Sequence, residues 1–91
     1  MARTIEHKPQ LHRFEYTENA LTSYINYEID DGVMAITHTQ VPSELEGRGI
    51  AGDLTRAALD SARLQGMQVD PICTYAQSFI RRHSEYQDLL G

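Results

Sequence analysis

Residues 41–52 read Val-Pro-Ser-Glu-Leu-Glu-Gly-Arg-Gly-Ile-Ala-Gly, and they join a β-branched run at 33–41 to a helical pattern. Three glycines within six residues let several main-chain N–H groups converge on one point, because glycine adopts backbone conformations that other residues avoid. Those donors, together with the positive end of the helix dipole, form a site suited to phosphate. The stretch therefore predicts a strand–turn–helix unit that holds a phosphorylated cofactor.

The length and composition describe an ordinary globular protein. The chain has 91 residues, of which 41% are hydrophobic and 23% are charged. No apolar run approaches the roughly 18 residues that a membrane span needs, and no signal peptide is recognisable. We therefore expect a single domain over residues 1–91, located in the cytoplasm and not in a membrane.

The charge is acidic and unevenly distributed. Eight lysines and arginines oppose thirteen aspartates and glutamates, which gives a net charge of −5. This balance argues against a nucleic-acid partner, because phosphate neutralisation along a nucleic acid requires a basic face. The five cations of residues 47–91 are all arginines, and this half also contains the glycine-rich stretch. A polyphosphate ligand agrees with that placement.

Cysteine and histidine usage argues against a metal site. Cys73 is the single cysteine of the sequence, so neither an internal disulfide nor a cysteine-based metal site can form. The four histidines show no ligand spacing, since none pairs with another at i+4 on a predicted helix. We predict that the protein binds no metal.

Alternating hydrophobicity predicts three antiparallel strands before the glycine-rich stretch, at 12–17, 21–29 and 33–41. The Asp31-Gly32 pair predicts a tight hairpin between the second and third strands. Residues 1–10 are polar and are interpreted as an extended arm or a short edge strand. The apolar residues of the first two strands are expected on one face: Phe14, Tyr16, Leu21, Ile25, Tyr27 and Ile29.

Two helices and a fourth strand are predicted after the turn. The first helix runs from about 49 to 65, the strand from 68 to 73 and the second helix from 75 to 83, with the tail packed back on the body. Strand–helix–strand order makes the fourth strand parallel to the third. The fold class is α+β. The buried stripes are expected to be Ile50, Leu54, Ala57, Ala58 and Ser61 on the first helix, and Ala76, Phe79 and Ile80 on the second. The opposite face of the first helix is expected to form ion pairs within the helix: Asp53, Arg56, Asp60 and Arg63.

Pro71 lies inside the predicted fourth strand. Proline has no N–H to donate to a ladder, so pairing with the third strand is expected to break there. Two parallel strands that separate leave unpaired backbone groups and a wedge between them, which a ligand with amide groups can fill. The alternative is that Pro71 marks a plain edge strand.

These motifs resemble those of the GNAT N-acetyltransferases. Val41-Pro42 followed by Gly47-Arg-Gly-Ile-Ala-Gly52 is similar to the cofactor-binding motif of that family, Gln/Arg-x-x-Gly-x-Gly/Ala. Glu46 stands at the first position of the motif, where the family prefers Arg or Gln. An acidic residue there weakens a side-chain contact to phosphate and leaves the main-chain donors unaffected.

The second half of the chain resembles the short, single-domain members of this family. Pro71-Ile-Cys73 and the run Ile-Arg-Arg-His-Ser-Glu-Tyr-Gln-Asp-Leu-Leu at 80–90 carry that resemblance, with Ser84 where proline is usual. Together the motifs cover most of residues 13–90. The resemblance implies a minimal fold in which the third and fourth strands splay to take the pantetheine arm of acetyl-coenzyme A. The cofactor-binding residues it implies are Val41, Gly47, Arg48, Gly49, Ile50, Ala51, Gly52 and Arg82.

Three residues are candidates for the chemistry of acetyl transfer, which needs a nucleophile, a proton acceptor and donors for an oxyanion. His38 and Cys73 are expected near the thioester, and a Cys–His pair there would form an acetyl-cysteine intermediate. The resemblance implies Tyr86 as the acid that protonates the departing thiolate. Each of the three has a structural alternative. Cys73 is then a small buried thiol, His38 a core histidine beside Met34 and Ile36, and Tyr86 a tyrosine that packs the tail.

The leading hypothesis is an acetyltransferase that uses acetyl-coenzyme A. Its acceptor is a small-molecule or protein amine, cationic to suit the acidic first half, and the protein is a monomer or weak homodimer. The alternative is a non-catalytic module that binds coenzyme A or a partner protein, since so small a chain leaves little surface for an acceptor pocket. In a third interpretation, the glycine-rich stretch is a structural turn of an oligomeric scaffold.

Overall fold

A computed structural model describes residues 3–91, which form a five-stranded sheet with two α-helices on one of its faces. The strands are β1 (Glu6–Lys8), β2 (Arg13–Glu18), β3 (Leu21–Asp30), β4 (Val33–Gln40) and β5 (Gln68–Pro71). The α-helices are α1 (Ile50–Leu64) and α2 (Thr74–Arg82). Shorter 3-10 helices lie at Pro9–Leu11, Ser43–Leu45 and Ser84–Leu90.

The strands lie in the sheet in chain order, β1-β2-β3-β4-β5. The first four are antiparallel neighbours, and β5 runs parallel to β4 because α1 carries the chain back across the sheet. This confirms the α+β class, the meander and the parallel fourth strand of the prediction. Of the two interpretations of residues 1–10, the edge strand is correct for 6–8, which form β1. Residues 1–2 of the predicted arm lie outside the described residues.

The core lies between the helices and the inner face of the sheet. Phe14, Ile25 and Tyr27 are buried there, as predicted. Ile29, which is predicted on the same face, is 48% exposed. The pairing of β2 with β3 ends at Asn26, and beyond it Ile29 has no strand beside it on that side. On α2 the predicted residues are buried, and the tail packs on the body through Tyr86 and Leu89 as expected: Ala76, Phe79, Ile80, Tyr86 and Leu89 are at most 5% exposed.

The buried face of α1 differs in direction from the predicted stripe. Ala57 and Ser61 are only half-buried, whereas Thr55, Leu59 and Ala62 are fully buried. The buried residues still follow helical spacing, but they lie on the opposite side of Ile50 and Leu54 from the predicted stripe. Periodicity alone does not tell on which side of those two residues the rest of the protein packs. Burial of the Thr55 hydroxyl is tolerated because it donates to the carbonyl of Ala51 at 2.8 Å.

The charged face of α1 binds partners outside the helix, so the ion pairs predicted within the helix are wrong. Local spacing brings such side chains near each other, but tertiary partners compete for them. Three of the four residues hold the C-terminal 3-10 helix and one holds the N-terminal segment. The pairs are Asp53 with Arg3, Arg56 with Glu85, Asp60 with Tyr86, and Arg63 with Asp88.

A β-bulge interrupts the pairing of β3 with β4. Asn26 is opposite His38 and Tyr27 is opposite Ile36, so Thr37 is an extra residue on β4. Such an insertion reverses the alternation of the strand beyond it. The sequence predicts that His38 shares the inner face with Ile36. This prediction is wrong, because the bulge turns His38 away from that face and leaves it exposed.

The pairing of β4 with β5 ends at Ile36 and Pro71. The fourth strand is thus shorter than the predicted 68–73, because Pro71 supplies no N–H to continue the ladder. The N–H of Cys73 makes one further hydrogen bond, to the carbonyl of Ile36 at 2.9 Å, and β4 then continues without a neighbour on that side. The predicted separation of the two strands is confirmed.

Two kinds of feature are absent from residues 3–91. None of the helices there is both long enough and apolar enough to cross a lipid bilayer. Within the same range, no group of three His, Cys, Asp or Glu side chains is arranged to hold a metal ion.

We expect Leu54→Ala to lower the free energy of unfolding by about 2–5 kcal/mol, because it leaves a cavity in the core. Leu54 is fully buried, whereas Leu64 of the same helix is 90% exposed and provides the matched control. Leu64→Ala should change stability by less than about 0.5 kcal/mol. Urea denaturation followed by circular dichroism measures both variants. Equal losses would contradict the buried face described for α1.

Candidate functional site

The glycine turn, residues 47–52, leads into α1 with two residues in the left-handed backbone region. Gly47 has φ +80° and Gly49 has φ +81°, values that strain any L side chain. The first hydrogen bond of α1 runs from the N–H of Asp53 to the carbonyl of Gly49 at 3.1 Å. The amides of residues 49–52 therefore have no acceptor inside the helix, and among residues 3–91 no side chain caps this helix terminus. The turn presents a group of free donors at the positive end of the helix.

An open cavity of about 530 Å³, here called the wedge, lies between the end of β4 and the glycine turn. Its β4 side starts at Thr39, beyond the last residue of β4 that pairs with β5, so strand residues without a β5 neighbour and the glycine turn line one space. Its volume is in the range of small-molecule sites. The lining residues are Thr39, Gln40, Val41, Leu45, Glu46, Gly47, Gly49, Ile50, Ala51 and Tyr75. The structure thus brings together five predicted cofactor-binding residues: Val41, Gly47, Gly49, Ile50 and Ala51.

A second cleft lies between α1 and α2. The aromatic ring of Phe79 stacks on His83 with ring centroids 4.0 Å apart, and two arginines flank them. Tyr75 lines both this cleft and the wedge, so the two cavities adjoin at this residue. The cleft contains the predicted residues Gly52 and Arg82, and its full lining is Gly52, Asp53, Arg56, Tyr75, Phe79, Arg82 and His83.

Two charged residues of the turn region point to different places. Arg48, a predicted cofactor contact, extends toward the sheet, where its Nη1 donates to Glu18 Oε2 at 2.7 Å. Glu46 lines the wedge itself. The turn therefore offers main-chain donors to an anion, while its own arginine is bound to a carboxylate.

Cys73 is the N-cap residue of α2 and lies beside the wedge. Its Sγ is 3.5 Å from the Oγ1 of Thr39, which lines the wedge. Partial burial disfavours the thiolate, but hydrogen bonds from the Thr39 hydroxyl and from the amides of Ala76 and Tyr75 favour it more strongly. The pKa of the Cys73 thiol is consequently lowered below its ordinary value. This arrangement favours a nucleophilic thiolate.

The structure does not form the predicted Cys73–His38 pair. The bulge at Thr37 turns His38 to the outer face of the sheet, where its ring lies 6.1 Å from that of Tyr24. The bulge also turns Thr39 inward, and Thr39 therefore contacts Cys73 in place of the histidine. No glycine or proline marks this bulge, so the sequence contains no signal for the exchange.

Tyr86, the predicted acid, binds α1 and lines neither cavity. Its side chain is buried, and its hydroxyl donates to Asp60 Oδ1 at 2.7 Å and accepts from Arg56 Nη1 at 3.1 Å. Burial, followed by the hydrogen bond to Asp60, raises the pKa of Tyr86. These contacts fasten the tail to α1. Tyr75 is the tyrosine that lines the wedge. It is not among the residues predicted from the sequence, although its position two residues after Cys73 places it near the candidate thiol.

A family model matches most of the chain. The model of the GCN5-related N-acetyl-transferase family matches residues 13–89, a range that contains the glycine turn, the wedge and Cys73. The match therefore covers the strands that separate as well as the helix that follows the turn.

The relatives and one solved structure agree with this match. The chain is 29% identical to Protein NATD1 of Mus musculus over 87% of this chain and 74% of that protein. It is 35% identical to Protein NATD1 of Bos taurus over 69% of this chain, a match that spans about half (52%) of the bovine protein. The NMR structure of a GCN5-like protein from Staphylococcus aureus superposes with a TM-score of 0.75 and 28% identity, covering 94% and 85% of the two chains. The chain belongs to the GCN5-related N-acetyl-transferase family.

Proposed function

We propose that this protein binds acetyl-coenzyme A in the wedge and transfers the acetyl group to an amine. One observation carries the proposal: an uncapped helix N-terminus preceded by two left-handed glycines opens on a cavity between separating strands. Backbone amides at such a terminus bind phosphate. Membership of the family supports the choice of this cofactor.

The two cavities suit the different parts of coenzyme A. The amides of residues 49–52 would hold the diphosphate, and the unpaired backbone of β4 beyond Ile36 offers hydrogen bonds to the amides of the pantetheine arm. The second cleft, with the cations Arg56 and Arg82 beside the stacked ring of Phe79, suits the phosphorylated adenosine. Neither cavity requires a bound metal for these contacts.

Cys73 is the proposed nucleophile. Acetyl-coenzyme A supplies an acetyl group activated as a thioester. The Cys73 thiolate attacks its carbonyl carbon, so that an Sγ–C bond forms and the bond to the coenzyme A sulfur breaks, with release of the coenzyme A thiolate. The acceptor amine first loses a proton to water, and its lone pair then attacks the acetyl-cysteine: an N–C bond forms, the Cys73 thiolate leaves, and the second amine proton also passes to water. The Thr39 hydroxyl orients and stabilises the thiolate.

The proposed acceptor is a cationic amine, either a small molecule or a protein side chain. The outer face of the sheet carries exposed carboxylates, including Glu28 and Asp70, which lie on either side of Ala35 of β4. Such a surface attracts a positively charged amine.

A catalytic thiol persists in a reducing compartment, and the proposal accordingly places the protein in the cytoplasm.

A non-catalytic module that binds coenzyme A is the second candidate. The observation in its favour is that His38 faces away from Cys73, so the wedge lacks the predicted base. In the described part of the chain, the titratable side chains that line the wedge are those of Glu46 and Tyr75. Binding without turnover on a panel of amines would favour this candidate.

The glycine turn provides the first test of cofactor binding. We expect Gly49→Glu to weaken coenzyme A binding roughly 100-fold or more, because like charges about 4 Å apart near a surface repel by about 4 kcal/mol. Gly32→Glu is the matched control: Gly32 has φ +76°, so it shares the backbone strain and the added charge but lies in the β3–β4 hairpin. Isothermal titration calorimetry measures both. If the parent does not bind coenzyme A, or if the two variants bind it equally well, the proposed diphosphate site at the glycine turn is wrong.

The acetyl-cysteine step has a direct signature. Incubation with acetyl-coenzyme A should add one acetyl group to Cys73, and Cys73→Ala should lose both this adduct and the turnover of amines. Intact-mass and peptide mass spectrometry detect the adduct, and release of coenzyme A thiol measures turnover. Undiminished turnover by Cys73→Ala would refute the covalent route and indicate direct attack by the amine.

The contact between Thr39 and Cys73 predicts a change in thiol reactivity. Because the Thr39 hydroxyl stabilises the thiolate, Thr39→Val should raise the pKa of Cys73 and slow alkylation near neutral pH. The rate of iodoacetamide alkylation against pH measures this shift, and its midpoint should move upward. Thr37→Val, two residues away at the exposed bulge, serves as control and should leave the midpoint in place. Identical profiles for Thr39→Val and the parent would remove Thr39 from the site.

A further inference from the structure

Arg3 lies across the glycine turn, although it is far from the turn in sequence. Its Nη1 donates to Asp53 Oδ2 at 2.6 Å, and its Nη2 donates to the carbonyl oxygen of Arg48. Its guanidinium also lies over the ring of Tyr16, 5.7 Å from the centroid. A Cβ built on Gly49 would lie 4.0 Å from Arg3 Nη1. The guanidinium is therefore held at the turn itself and contacts both the loop and the first turn of α1.

We propose that Arg3 is a further cofactor-binding residue, whose guanidinium neutralises Asp53 and contributes positive charge to the diphosphate of coenzyme A. This inference rests on the proposed function, because it assigns a residue to the diphosphate position named there. It concerns a segment that precedes the range matched by the family model, which begins at residue 13.

The charge of Asp53 is the first reason. A carboxylate in the first turn of a helix is stabilised by the helix dipole, but it competes there with any other anion. A diphosphate at the amides of residues 49–52 would lie beside this carboxylate and be repelled by it. The ion pair with Arg3 cancels that charge, so the helix terminus remains available to an anionic ligand.

The donors of Arg3 are the second reason. A guanidinium carries five N–H groups, and the contacts to Asp53 and Arg48 leave others for a phosphate oxygen. Arg48 itself, the cation that the sequence places in the turn, extends to Glu18. The side chain of Arg3 is 24% exposed, against 50% for Arg48, so Arg3 is the more firmly positioned of the two.

Comparing coenzyme A with pantetheine, which lacks the phosphates, tests this role. Arg3→Gln should weaken coenzyme A binding about tenfold, since it removes one attraction and leaves the Asp53 carboxylate uncompensated. Its affinity for pantetheine should stay within about twofold of the parent, which also shows that the wedge is intact. Adding Asp53→Asn to Arg3→Gln should restore most of the lost affinity, because the uncompensated carboxylate is then gone.

The matched control is Arg81→Gln, which removes the same charge from an exposed position of α2 that lines neither cavity. It should change coenzyme A binding by less than about twofold. Equal losses for coenzyme A and pantetheine in Arg3→Gln would overturn the inference in favour of a structural role. Tighter binding of coenzyme A would overturn it in favour of a blocking arm. If the parent binds neither ligand, the proposed function itself fails, which is a different result from either.

Discussion

The separation of β4 from β5 is the constraint on which the site depends. The ladder ends where Pro71 has no N–H to offer, opposite Ile36, and the bulge at Thr37 follows immediately on the other strand. The end of the ladder opens the space between the strands, and the bulge turns the side chain of Thr39 into that space. Without the end of the ladder and the bulge, β5 would continue along β4, and Cys73 would be one more residue of the paired strand. The glycine turn gains its importance from lying at the mouth of this opening.

Each of three arginines around the candidate site is paired with a carboxylate. Arg3 is bound to Asp53, Arg48 to Glu18 and Arg56 to Glu85. Exposed ion pairs such as Arg48–Glu18 and Arg56–Glu85 contribute little to stability, typically below about 1 kcal/mol. A chain of net charge −5 thereby keeps positive groups at one end of α1. The acidic net charge of the chain is therefore compatible with the phosphate-binding site proposed at the glycine turn.

The parts of the structure that follow local chemistry were predictable from the sequence. The glycine turn, the break at Pro71 and the limits of the helices depend on backbone preferences of individual residues, and these predictions agree with the structure to within a few residues. The outward turn of His38 was not predictable, because the bulge contains no residue that requires it. Arg3 was missed for another reason: its partners are 45 and 50 residues away, and the polarity of a terminal segment says nothing about distant carboxylates.

The order of the strands has a consequence for how the chain reaches its native state. Since every strand lies beside the one that precedes it in the chain, the first four strands assemble through successive hairpins and close only short loops. Such local topologies fold rapidly, because little chain entropy is lost before native contacts form. The pairing of β5 with β4 is the exception, because it closes a connection of 27 residues, 41–67, that contains α1. Formation of the β4–β5 pair, beside which the candidate site lies, therefore carries the largest loop-closure entropy of any strand pair in the sheet.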